Sequence, residues 1–101
     1  MRRTLDLDGI RVLAEEPDGW NGRLSIILAH GAGQDMDSPF MTFFHEGMAH
    51  LGHLSVKFNF PYMEAGRRAP DPQKKMRAVY AGVVQLVAEQ FEPRSILVGG
   101  K

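Results

Sequence analysis

The run Leu24-Ser25-Ile26-Ile27-Leu28-Ala29 is almost continuously apolar and ends at His30-Gly31. A strand with one wet face alternates apolar and polar residues; one that is apolar nearly throughout is covered on both faces, as in a parallel sheet. Parallel neighbours need crossovers, and crossovers are helices that lie on the sheet. This one run therefore commits the chain to an α/β architecture.

The rest of the chain supplies the other parts. Leu5 and Leu7, then Ile10, Val12 and Ala14, alternate with polar residues around Asp8-Gly9. That spacing predicts a β-hairpin with a tight Asp-Gly turn. After the glycine-rich segment 31–37, Ser38 and Pro39 give the cap-then-proline signal of a helix start. Phe40, Phe43, Phe44, Met48 and Leu51 recur at helical spacing and are expected in the core, with Gly52 as the stop. Leu54, Val56, Phe58 and Phe60 alternate as a second parallel strand. Residues 61–72 read as a loop, and Asp71-Pro72 repeats the cap signal. A second helix runs to about Phe91, apolar along Met76, Val79, Tyr80, Val83, Val84 and Val87, and Pro93 ends it. The segment 95–100, "SILVGG", is a third covered strand. The order hairpin, β, α, β, α, β describes one domain over residues 1–101, without repeats or linkers.

Composition narrows the function classes. The 12 basic and 12 acidic residues cancel, so no global charge favours nucleic acid or an anionic membrane. The absence of cysteine excludes disulfides, thiolate zinc sites and cysteine nucleophiles. Neither a signal peptide nor an apolar run of membrane-spanning length is visible. The expectation is a cytoplasmic protein without cofactor or metal.

Two glycine segments end apolar strands: "AHGAG" at 29–33 and "GGK" at 99–101. If the two outer strands flank the first, both meet at the carboxyl edge, where open α/β sheets bind ligands. The plainer reading is that these glycines only permit tight turns. Known nucleotide motifs fail. Met36 stands at the third glycine position of G-x-G-x-x-G, and Ser95 stands where a P-loop needs its first glycine. His45 and His50, five apart, diverge by roughly 140° on a helix and cannot share a metal face. With His53, they are expected at the surface or partly buried. Arg67, Arg68, Lys74, Lys75 and Arg77 read as a solvated basic face, with an anionic partner as the alternative.

Taken together, "ILAHGAGQDMDSPFM", "VKFNFPYMEAGRRAPDP" and "ILVGGK" resemble a family of small bacterial α/β-hydrolases. These are described as predicted dienelactone-hydrolase-like or testis-expressed-protein-30-like. The three segments span the chain from residue 24 onward, in the family's order. The resemblance implies a partial α/β-hydrolase fold, the N-terminal half of such a domain. It implies ester or other acyl hydrolysis by a serine on a nucleophile elbow. Gly99, Gly100 and Lys101 match the approach to that elbow, and the serine would be the next residue. His30, Gly31, Ala32 and Gly33 match the oxyanion loop, with Ala32 as the backbone donor; such a donor lowers the barrier by about 3 kcal/mol. Tyr62 and Met63 are expected to line the pocket mouth. The nucleophile, acid and histidine of the triad are not in these residues. His30 is expected to orient its surroundings, not to act as the base.

The partners implied are a small acyl substrate once the fold is completed, and a C-terminal half or a second copy on the open sheet edge. The alternatives are a non-catalytic interaction module and, more weakly, a phosphate-binding module.

Overall fold

A computed structural model describes residues 1–30, 35–67 and 69–100. The elements are β1 (Arg2–Leu7), β2 (Ile10–Glu15), β3 (Leu24–Ala29), α1 (Pro39–His50), β4 (Leu54–Phe58), α2 (Pro61–Glu64), α3 (Gln73–Phe91) and β5 (Ser95–Gly100).

The hairpin forms as its sequence dictates. Asp8 and Gly9 both take positive φ, 49° and 87°. This is the backbone of a two-residue turn whose twist matches the strands. The turn sets the register Leu7↔Ile10 and Leu5↔Val12. Among the described residues, five strands form one mixed sheet in the order β1-β2-β4-β3-β5. The hairpin joins antiparallel through β2 to β4, while β3 pairs parallel with both β4 and β5. β4 and β5 thus flank β3, the arrangement on which the meeting of the two glycine segments depended, and Ala29 and Gly100 lie side by side at the carboxyl edge.

Ala14, Ile27, Val56 and Phe58 share the main buried cluster with Val83 and Val87 of α3. The opposite face is covered by α1. Ser38 caps α1, its Oγ accepting from the Met41 N–H at 3.4 Å. Gly52, at φ 94°, follows the helix end. All five residues of β4 are buried, including Ser55 and Lys57. The alternation in this strand therefore marks two covered faces of different chemistry, apolar toward α3 and polar toward α1.

That polar face overturns one expectation. The phenylalanine stripe is not core: Phe43 is 80% exposed and Phe40 43% exposed, and Leu51 is exposed beyond them. The buried residues of α1 are Met41 and His45, a helical turn apart. At 100° per residue, Phe43 points roughly 160° away from His45. His45 seats against β4 because Ser55 offers a hydrogen bond: the hydroxyl lies 2.9 Å from Nδ1. His45 is therefore fully buried, whereas it was expected at or near the surface.

Three smaller expectations also change. β5 is an edge strand: Leu97 and Val98 are more than half exposed, while Ile96 packs against the core cluster. Residues 61–64 form one helical turn, started by Pro61. Asp71 does not cap α3; Pro72 holds that position, and the Asp71 carboxylate is engaged elsewhere. No helix among the described residues is long and apolar enough to cross a membrane.

Candidate active site

The carboxyl ends of β3 and β5 meet at the pair Ala29↔Gly100. Gly31, Ala32 and Gly33 of the expected oxyanion loop, and Lys101 of the elbow approach, lie outside the described residues. The structure describes what holds these segments from either side.

His30 is buried, and its Nε2 accepts the Phe60 N–H at 3.0 Å. An accepting Nε2 puts the ring proton on Nδ1. Phe60 and Tyr62 pack edge-on to the imidazole, with centroids at 5.1 and 5.7 Å. His30 Nε2 is thus engaged by the backbone of the Phe60 corner. Replacing it by leucine leaves the Phe60 N–H buried and unpaired. His30→Leu is expected to lose about 2 kcal/mol in urea unfolding.

On the other side of the loop, Met36 is buried and its N–H donates to Asn59 Oδ1 at 2.8 Å. Asn59 Nδ2 in turn donates to Glu64 Oε1 at 3.2 Å, and Glu64 pairs with Arg11 of the hairpin at 3.5 Å. Two consecutive residues after β4, Asn59 and Phe60, therefore anchor the chain immediately before and after the glycine loop.

The corner carrying those anchors is itself locked. Asp71 Oδ2 accepts the Tyr62 N–H at 3.0 Å; Oδ1 accepts from Arg67 at 3.0 Å and lies 3.6 Å from Lys75. Burial alone would raise the Asp71 pKa. The Tyr62 N–H, Lys75 and Arg67 outweigh it and hold the carboxyl below its ordinary value. Two of the basic residues in the 67–77 stretch thus serve one carboxylate; Lys74 and Arg77 are exposed. Tyr62 is buried and Met63 half-buried. An open groove of about 370 Å³ beside this corner is lined by Phe60, Gln73, Met76, Arg77 and Tyr80.

At the end of β5, neither glycine is forced by its own strand. A Cβ at Gly99 or Gly100 would meet neighbours at 3.7 and 3.6 Å, ordinary contact distances. Tyr80 of α3 reaches this point: its hydroxyl accepts the Gly99 N–H at 3.1 Å and lies 2.6 Å from Gly99 O and 2.9 Å from Ile27 O. Sequence periodicity had placed Tyr80 on the apolar side of its helix and gave no sign of this bond. It also missed Asn59 and Asp71, whose partners are set by the fold of a corner.

Comparison with known proteins follows the same geometry. The family model described as "Alpha/beta hydrolase domain" matches residues 22–101. No curated protein sequence matches. Among solved structures, a lidless α/β serine hydrolase from Xanthomonas campestris is similar over 98% of this chain and 50% of its own, with TM-score 0.80 and 20% identity. An α/β serine hydrolase homologue from Coxiella burnetii matches over 99% and 50%, with TM-score 0.77 and 18% identity. Est1E from Butyrivibrio proteoclasticus matches over 98% and 39%, with TM-score 0.72 and 16% identity. The chain thus spans half or less of these structures, and at such identities the likeness is one of fold. With the sheet order, the paired strand ends and a family match over most of its length, the chain belongs to the α/β-hydrolase domain family.

Proposed function

We propose that this chain is the N-terminal part of a serine α/β-hydrolase that cleaves esters or related acyl compounds. It contributes the oxyanion loop at 30–33 and the approach to the nucleophile elbow at 99–101. The serine, the acid and the catalytic histidine come from residues beyond these. The observation that carries the reading is the pairing of β3 with β5 at their carboxyl ends, with His30 and Met36 both tied to the Asn59-Phe60 corner. An acyl transfer needs a backbone donor and a nucleophile facing one carbonyl. Adjacent parallel strand ends are where those two meet.

The test compares two lengths of protein. Residues 1–101 alone are expected to hydrolyse p-nitrophenyl acetate no faster than a heat-killed control. Protein continued past Lys101 is expected to hydrolyse it and to be labelled by a fluorophosphonate on the serine following Lys101. Hydrolysis by the purified 101-residue chain, with its mass verified, would overturn the assignment. The exposed Leu97 and Val98 on the β5 edge favour a second reading, a non-catalytic module that associates through that edge. A 101-residue chain that is monomeric and unfolds cooperatively would count against it.

A further inference from the structure

The Tyr80 hydroxyl occupies an unusual place in the sheet. Ser95 N–H donates to Arg23 O at the start of the β3–β5 ladder. The two-residue period of a parallel ladder then assigns Leu97 N–H to Ser25 O, and Gly99 N–H to Ile27 O. It is at this last rung that the hydroxyl of α3 enters, touching both Gly99 N and Ile27 O. It has one hydrogen to give and two carbonyls in reach, the shorter contact being to Gly99 O. The ring is clamped edge-on by Phe58 and Phe60, with centroids at 5.2 and 6.5 Å. Burial pushes the phenol pKa up, against the smaller opposing effect of the Gly99 backbone, so the donor stays protonated at neutral pH.

We infer that Tyr80 is a positioning residue: its hydroxyl holds the Gly99 peptide at the end of β5 and so sets where the residue beyond the glycine turn is presented. The inference rests on the hydrolase reading for its catalytic consequence, but not for the bond itself. A glycine pair is conformationally loose, and a nucleophile displaced by about 1 Å loses on the order of 100-fold in rate. A side chain that grips the Gly99 N–H and approaches its carbonyl removes that looseness without contacting substrate. Phe60 links this grip to the other half of the site, since it packs on Tyr80 and donates to His30.

The test uses Tyr80→Phe in the protein continued past Lys101, with Val83→Ala, a buried α3 residue outside the site, as a control for general loosening. Amide exchange at Gly99 is expected to accelerate about tenfold relative to Leu28 in Tyr80→Phe, and not in Val83→Ala. Ester hydrolysis is expected to show kcat lowered at least tenfold with KM within twofold. In the unsubstituted protein, a slowly exchanging Tyr80 hydroxyl proton should show a nuclear Overhauser contact to the Gly99 amide, a result independent of any variant's folding. Unchanged Gly99 exchange, or accelerated exchange with unchanged kcat, overturns the inference. So does an equal loss of kcat in Val83→Ala. If the unsubstituted protein hydrolyses nothing, the hydrolase reading and the catalytic role fail together, while Gly99 exchange still decides whether the bond exists.

Discussion

Lowering the pH from 7 to 4 is expected to remove on the order of 3 kcal/mol of folding stability through His45 alone. Its imidazole is buried between α1 and β4, with Nδ1 on the Ser55 hydroxyl and Nε2 without a hydrogen-bond partner among the described residues. Burial, then the Lys57 ammonium, push its pKa from 6.5 down to about 4; Glu15 opposes them and Arg2 adds to them. The folded pKa is depressed, so in this window the unfolded chain binds more protons than the folded one. The contribution is complete above pH 6.5, falls as pH drops toward 4, and is gone below it. Asp71 also has a lowered pKa, but its loss begins only below 3.8, the ordinary carboxyl value, so the two effects separate. Urea midpoints at pH 7, 5.5 and 4.2 measure the slope. The double variant His45→Leu, Ser55→Ala removes the titrating ring without orphaning the hydroxyl. It should flatten the curve in that range; an unchanged slope would remove His45 from the account.

Asn59→Ala is expected to cost about 3 kcal/mol, large for a single polar side chain. Its amide serves two partners, the N–H of the buried Met36 and the carboxylate of Glu64, and it is itself 4% exposed. Truncation leaves the Met36 N–H in the interior with nothing to accept it. Asn59→Leu should cost a similar amount, because the missing acceptor matters more than the volume. If the leucine variant unfolds at the same urea concentration as the native protein, the anchor is not what holds that side of the glycine loop. If the hydrolase reading holds, both variants also lower kcat in the extended protein, since the donor loop would be released from one of its two ties.

Much of the architecture could be read from residue order. Asp8-Gly9, Ser38-Pro39 and the apolar runs at 24–29 and 95–98 are local signals, each decided by a few neighbours. The direction in which a helix faces is not local. The stripe of α1 was the wrong guide because the face of β4 beneath it carries Ser55 and Lys57. Lys57 is buried, with its ammonium 3.3 Å from Asp37 and 3.4 Å from Thr42. A polar partner selects a polar helix face, and two phenylalanines are left outside. The site was legible to a similar depth. The glycine segments and their juxtaposition follow from strand order, whereas Tyr80, Asn59 and Asp71 act on backbone groups up to 53 residues away in sequence. No periodicity encodes such bonds.

The place of β4 in the sheet also dictates an order of assembly. The hairpin closes on itself within microseconds, since its contacts are local. Its other edge, β2, must wait for β4, because among the described residues no other strand bridges it to β3. On a ribosome adding about 5–20 residues per second, the stretch from Glu15 to Leu54 takes roughly 2–8 s to emerge. For that interval Ile10, Val12 and Ala14, all buried in the finished sheet, sit beside an unpaired strand edge. The nascent chain is therefore most vulnerable to misassociation before its fourth strand is made, and slowing translation between these positions should lower the soluble yield more than slowing it after Phe58.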